Sequence, residues 1–151
     1  MDFDYTEEQQ LLRDSVGRFV REQYGFDARR AIVADARGFS AQHWKLFAEL
    51  GWLALPVAED DGGLGAGLTG LAILFEEFGK GLVVEPYLAS VVLGAGVVSE
   101  LGSPAQREAI LPAIMAGEIQ LALAFAEPAS RYDLARIATT AGRRGEGWSL
   151  S

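Results

Sequence analysis

Two uncharged stretches, Gly62 to Phe75 and Pro86 to Ser99, constrain this chain more than anything else in it; each is fourteen residues long. A bilayer-spanning helix needs about 20 apolar residues, so neither stretch is a membrane span. Each must be buried in protein, and a helix apolar on nearly every side is buried between other helices. The preceding sequence supplies such partners. Leu11, Leu12, Val16, Phe19 and Val20 recur at helical spacing, giving one apolar stripe. Thr6-Glu7-Glu8-Gln9 has capping-box spacing at its start, where the Thr hydroxyl accepts one free amide and Gln9 reaches back. A helix is expected from about Thr6 to about Ala34, weakening after Gly25.

Ser40 is placed to cap a second helix bearing Trp44, Phe47 and Ala48, which Gly51 ends. Trp52 to Pro56 reads as a short, extended, buried connection, and Asp61-Gly62-Gly63-Leu64-Gly65 as a turn-rich loop. A third helix covers about Leu68 to Phe78. Glu85-Pro86 opens a fourth with proline at its first position, in which Ser90, Gly94 and Gly96 would allow close backbone approach. Ser103-Pro104-Ala105-Gln106 is a second capping box and starts a fifth helix closed by Gly117. Five helices with short joints make a bundle. Near residue 119 the pattern changes. Ile119 to Ala126 is a short apolar run stopped by Glu127-Pro128. Ile137 to Ala141 and Trp148 to Leu150 are strand-like around an expected hairpin loop, Arg143 to Gly147. An isolated hairpin is marginal, so a β-domain is expected to begin near residue 119 and to be cut short.

The formal charge of −8 argues against nucleic acid, whose phosphates call for a basic patch. The chain has no cysteine, which removes disulfides, thiolate catalysis and Cys-based metal sites. Its acidic opening, Met1-Asp2-Phe3-Asp4, is unlike a secretory signal or transit peptide; a soluble, cytoplasmic protein is expected. The single histidine, His43, has no serine or acid at a motif spacing and reads as a capping or surface residue. Adjacent Glu59, Asp60 and Asp61 lack the alternation of a calcium loop and read as a solvated turn, so no metal site is expected. Gly63-Leu64-Gly65-Ala66-Gly67 has the look of a phosphate cradle but lacks the preceding strand and the following Lys-Ser/Thr. Glu76 and Glu77, as neighbours on a helix, face different ways. No catalytic constellation emerges from these residues.

Taken in order, however, the motifs resemble the acyl-CoA dehydrogenase family along the whole chain. Phe3-x-x-Thr6-Glu7-Glu8-Gln9-x-Leu11 is similar to that family's first helix. Leu50-Gly51-Trp52 to Pro56 and Glu59-Asp60-Asp61-Gly62-Gly63-Leu64-Gly65 resemble its glycine loop. Glu76-Glu77-Phe78-Gly79 resembles the end of its third helix. Gly102-Ser103-x-x-Gln106, Leu111-Pro112 and Gly117-Glu118 resemble its capped helix and the passage into its β-domain. Leu121-Ala122-x-Ala124-x-x-Glu127-Pro128 resembles the first strand of that domain.

The resemblance implies a mainly α chain: an all-helical N-terminal domain over residues 1–118, then over 119–151 the incomplete first strands of a middle β-barrel domain. It implies an FAD-dependent oxidoreductase of fatty acid metabolism, which removes hydrogens from the α- and β-carbons of an acyl-CoA thioester. The family is usually tetrameric and passes electrons to an electron-transfer acceptor. Its base glutamate lies beyond the barrel, so no catalytic residue is named and the isolated chain is expected to be inactive. By position, Leu123, Phe125 and Ala126 correspond to the strand along the flavin ring. Ala126 stands where a threonine is common, and Tyr132 where a serine touches flavin phosphate or CoA; Asp133 matches. Ala89, Ser90, Leu93 and Gly94 fall where the fourth helix lines the acyl pocket. Ser130-Arg131-Tyr132-Asp133-Leu134-Ala135 resembles the small subunits of heteromeric, pimeloyl-CoA-type dehydrogenases. The substitutions at Ala126 and Tyr132 motivate an alternative, a non-catalytic structural subunit of such an assembly.

Overall fold

The computed structural model describes residues 4–151. Phe3, which opens the N-terminal motif, lies outside the described residues, as do Met1 and Asp2. Helix α1 spans Glu7–Gln23, α2 Phe26–Ala34, α3 Ala41–Glu49 and α4 Gly67–Gly81. A π-helical segment, Leu88–Ala95, runs directly into α5, Gly96–Leu101, and α6 is Pro104–Met115. Strands β1, Ala141–Arg144, and β2, Gly147–Leu150, pair antiparallel with Ala141 opposite Leu150. Among the described residues no helix is long and apolar enough to cross a membrane.

Local chemistry explains most boundaries. Both capping boxes form: Thr6 Oγ1 accepts the Gln9 amide while Gln9 accepts that of Thr6, and Ser103 and Gln106 do the same. Ser40 Oγ accepts the His43 amide at the start of α3. The expected single helix from Thr6 to Ala34 is broken at Tyr24, whose backbone leaves the helical region; Gly25 then caps α2. The Tyr24 side chain shows why, since its hydroxyl is drawn into the interior by a bond to Glu85. Residues 52–54 form a 3₁₀ turn rather than an extended connection. The hairpin turn is Gly145-Glu146, so Arg143 and Arg144 lie in β1 and not in the loop. Gly145 has φ +59°, which suits the first central position of a type II′ turn.

The core is aromatic. Phe47, fully buried, stacks on Phe78 of α4 at 5.1 Å and meets Phe19 of α1 edge-on at 5.2 Å. Trp52 closes a third side at 5.1 Å. Truncating such a ring to alanine costs about 3–5 kcal/mol, through lost transfer energy and the cavity left behind. Helix α4 packs along α1 so closely that a Cβ on Gly17 would sit 3.0 Å from Glu77 Oε2. Glu77 is buried and Glu76 half-exposed, yet both carboxylates meet the same two cations rather than facing apart: Glu76 Oε1 lies 3.2 Å from Lys80 Nζ and 3.8 Å from Arg13. Lys80 Nζ donates to Glu77 Oε1 at 2.6 Å and Arg13 Nε at 3.4 Å.

The glycine loop is built on its own chain. The amides of Gly63, Leu64, Gly65 and Ala66 donate in turn to the carbonyls of Ala58, Ala54, Val57 and Leu55. A Cβ on Gly63 would collide with the Val57 carbonyl, so only glycine fits. Amides spent in this way are not offered to a phosphate, and the likeness to a phosphate cradle ends there.

This packing generates two expected outcomes. Leu82 ends α4 with φ +52°, a left-handed conformation costing a side-chain residue about 1–2 kcal/mol. Leu82→Gly is therefore expected to raise the melting temperature by about 2–8 °C in calorimetry; an unchanged or lower value would mean the exposed leucine makes compensating contacts. Burial works against the charge on Glu77, but the bonds from Lys80 and Arg13 outweigh it and hold its carboxyl below the usual 4.5. A depressed carboxyl contributes stability above its unfolded pKa and loses it as pH falls through the folded one. Urea midpoints should therefore decline more steeply below about pH 4.5 in the wild type than in Lys80→Met; parallel curves would show that the pair is not linked to folding.

Candidate functional site

Among the buried polar groups is Glu85, whose side chain is wholly inaccessible. It lies between the apolar Val83-Val84 and Pro86-Tyr87. Tyr24 Oη donates to its Oε2 at 2.7 Å. The Ser40 amide donates to Oε1 at 3.4 Å, and His43 Nδ1 lies 3.3 Å from the same oxygen. Tyr24 Oη in turn accepts the Val84 amide at 3.0 Å. Burial pushes the Tyr24 phenol far up, the Val84 amide pulls it down, and the Glu85 carboxylate adds to the rise; Tyr24 therefore stays a donor. His43, read from sequence as a cap or surface residue, is instead packed edge-on against Phe19 at 5.1 Å and directed at Glu85. This node ties the end of α1 and the start of α3 to the chain just before the π-helical segment. Tyr87, the next residue but one, is fully buried and donates from its hydroxyl to the Trp52 carbonyl at 2.7 Å.

The sequence expects acyl-lining residues in that segment, and their surroundings differ. Ser90 is fully buried, and its Oγ accepts the Leu121 amide at 3.0 Å. Gly94 is buried against the same residue: a Cβ there would meet Leu121 Cβ at 2.5 Å. Ala89 and Leu93 are half-buried. Gly96, expected to allow close approach, has nothing near its absent Cβ. A cavity of about 300 Å³ opens beside the segment, lined by Phe75, Phe78, Val83, Tyr87 and Leu88. A larger groove of about 800 Å³ lies between α1 and the start of α4, with Leu11, Leu12, Leu55 and Leu64 in its walls and Glu8 and Glu59 among its polar groups.

Beyond Leu121 the chain leaves the helical body. Residues 122–126 are exposed and unpaired with any strand among the described residues, although the sequence reads them as strand-like. Of their amides only that of Phe125 finds a partner among the described residues, the Leu123 carbonyl at 3.1 Å. Leu123 and Phe125 are exposed, and Tyr132 is 99% exposed. The loop carrying Tyr132 is closed by Glu127, whose carboxylate accepts the Ala138 amide at 2.7 Å and the Thr139 amide at 3.0 Å. Those two amides hold the Glu127 carboxyl below its usual range. Ser130, buried at the loop's base, donates from its hydroxyl to the Glu127 carbonyl. Leu123, Phe125, Ala126 and Tyr132 are thus all exposed, and Leu121 joins the start of their stretch to Ser90 and Gly94. Asp61 lies 3.7 Å from Arg107, and among the described residues no group of acids or His43 could hold a metal ion.

Residues 6–118 match the family described as acyl-CoA dehydrogenase, N-terminal domain. The chain belongs to the acyl-CoA dehydrogenase family. It is 30% identical to the probable acyl-CoA dehydrogenase YngJ of Bacillus subtilis over 100% of its own length and 40% of that protein's. It is also 30% identical to benzylmalonyl-CoA dehydrogenase of Aromatoleum aromaticum, again over 100% of this chain and 40% of that one. Among solved structures it resembles a variant of the Tcur3481-Tcur3483 steroid ACAD, with TM-score 0.83 and 28% identity over 96% of this chain and 39% of that one. The ChsE4-ChsE5 complex of Mycobacterium tuberculosis gives TM-score 0.82 and 27% identity over 99% and 40%. The chain thus spans about 40% of the curated relatives it matches.

Within this acyl-CoA dehydrogenase domain, Glu85 and Tyr24 went unseen in the sequence. An acid flanked by Val83-Val84 and Pro86-Tyr87 was the available signal, because a carboxylate among apolar neighbours needs donors. Nothing local marks Tyr24, sixty-one residues away. The carboxylate accepts from three separate donors, whereas an amide offers one acceptor oxygen and would turn its NH₂ toward another donor. Glu85→Gln is therefore expected to cost about 2–4 kcal/mol in urea unfolding. A loss under about 0.5 kcal/mol, typical of a surface change, would show that the node is not structural.

Proposed function

We propose that this chain is the N-terminal part of an FAD-dependent acyl-CoA dehydrogenase, which removes hydrogens from the α- and β-carbons of an acyl-CoA thioester. In this reading residues 1–118 form the helical domain and 119–151 open the middle β-domain. The observation that carries it is the joint at Leu121. On one side lies the helix proposed to line the acyl pocket, with Ala89, Ser90, Leu93 and Gly94; on the other is the extended stretch proposed to meet the flavin.

That stretch fits a flavin ring. An exposed backbone edge with unspent donors and acceptors, flanked by the apolar Leu123 and Phe125, matches a planar ring with a polar rim. Leu123, Phe125 and Ala126 would hold it through backbone groups. Ala126 adds no hydroxyl. The Tyr132 phenol, on a loop closed by Glu127, would offer a hydrogen bond to phosphate. When bound, the flavin supplies the acceptor for the hydride leaving the β-carbon. The residues of this chain do the rest by placement: the π-helical segment bounds the acyl chain, and apolar side chains keep water from the reacting carbons. The glutamate that takes the α-proton in the family is not matched by any residue here. Acyl-CoA as substrate, a tetrameric or heteromeric assembly and an electron-transfer acceptor come to this chain with its family.

A second reading, a non-catalytic subunit of a heteromeric dehydrogenase, is favoured by two observations. The exposed edge at 122–126 is also a template for an added strand, and the ChsE4-ChsE5 neighbour is a complex of two named chains. The test is made on protein expressed from its complete gene. Bound flavin is expected, with its absorbance bleached by an acyl-CoA, while the 151-residue chain alone shows no bleaching. Flavin-free protein that co-purifies with a larger, flavin-bearing subunit would establish the structural role instead.

A further inference from the structure

We propose that Ser90 is a positioning residue, which sets the flavin-lining stretch at a fixed distance from the acyl-lining helix by holding the Leu121 amide. The inference deepens the dehydrogenase reading and rests on it.

The geometry at Ser90 gives its hydroxyl a partner within the chain, besides its place on the acyl-lining helix. Its side chain is fully buried. Its own amide is spent within the helix, on the Pro86 carbonyl at 2.9 Å. The hydroxyl oxygen accepts the Leu121 amide at 3.0 Å. Four residues further on, Gly94 sets the other limit of the same joint, since a Cβ there would fall 2.5 Å from that of Leu121. One residue pulls the outgoing chain in, and the other leaves just enough room for it.

The joint matters because of the chain beyond it. Leu121 is half-buried against the core, whereas residues 122–126 are exposed. The stretch that carries Leu123, Phe125 and Ala126 therefore starts at Leu121, and at about 3.3 Å of rise per extended residue these residues lie close to that anchor. A displacement at the anchor shifts the start of the stretch. Hydride transfer is steeply sensitive to such errors, because reacting atoms must be about 3–3.5 Å apart and aligned. Ser90 touches no reacting atom in this arrangement. It acts through Leu121.

The test compares Ser90→Ala, Ser90→Thr and Gly94→Ala with Val16→Ala, a core truncation on α1, all in protein expressed from its complete gene. Ser90→Ala and Gly94→Ala are each expected to shift the bound-flavin absorption band and to lower kcat on the order of ten- to a hundred-fold, with KM within about twofold of wild type. Hydrogen exchange at the Leu121 amide should accelerate in Ser90→Ala, a readout that needs no flavin. Ser90→Thr keeps the acceptor oxygen and should restore the spectrum and kcat toward wild type. Val16→Ala should lose melting temperature while keeping the wild-type flavin spectrum. If Ser90→Ala behaves like Val16→Ala, with stability lowered but spectrum and kcat unmoved, the positioning role is overturned and the dehydrogenase reading survives. If the wild-type protein holds no flavin, that reading falls and the positioning role falls with it.

Discussion

The burial of Phe47 is the constraint on which the other contacts depend. Its ring is enclosed by Phe19 from α1, Phe78 from α4 and Trp52 from the 3₁₀ turn, so three separate stretches of chain must arrive together to cover it. Trp52 and Phe78 then frame Tyr87, Phe78 directly at 5.8 Å and Trp52 through its carbonyl. Tyr87 is thereby fixed, and with it the first turn of the segment that carries Ser90. The path from the aromatic core to the outgoing chain is short: Phe47, Phe78, Tyr87, Ser90, Leu121. Each step is a ring contact, a helical turn or a single hydrogen bond.

Beside this apolar path runs a polar one, and the two fail differently. Glu85 collects donors from α1, from the amide that starts α3 and from His43, and so closes the side of the bundle that rings alone do not cover. Removing a methyl from a core loses contact area in proportion. Removing one partner of a buried carboxylate costs the desolvation of whatever remains unpaired. The aromatic cluster therefore sets how much stability the bundle has. The Glu85 node constrains how its ends are arranged, because groups from Tyr24, Ser40 and His43 must converge on that carboxylate.

Local rules made much of this legible in advance. Thr6 and Ser103 cap their helices as their spacing predicts, and Ser40 caps α3. The two uncharged stretches contribute α4 and the π-helical segment. What escaped was set by distant partners. Tyr24 ends α1 because its hydroxyl is needed at Glu85, sixty-one residues on, and no helical periodicity carries that information. The π-helical winding of Leu88–Ala95 is equally invisible to a pattern of apolar residues, since every side of the segment is apolar. The glycine loop misled in the opposite direction: its composition suits an anion, but its amides are spent on residues 54–58. At the candidate site, the family resemblance singled out Ser90 and Gly94 as residues of interest. The bond from the Leu121 amide to Ser90 Oγ joins residues thirty-one apart, and no local pattern carries it.

The contrast between the two parts of the chain has the same physical origin. Residues 7–115 bury apolar side chains from several elements around one core, whereas Leu123, Phe125, Ile137, Trp148 and Leu150 all remain exposed. The second part is organised by hydrogen bonds instead: Glu127 across its loop, and the β1–β2 ladder continued by the paired amides and carbonyls of Thr140 and Ser151. Such bonds fix local shape at little net gain in stability, about 1 kcal/mol each. The stretch joins the bundle at Leu121, where the buried Ser90 hydroxyl and the missing Gly94 side chain fix the outgoing chain. Just before it, the Glu118 and Ile119 amides both donate to the Ala113 carbonyl. Local bonds thus shape this part of the chain, and the joint sets where it starts.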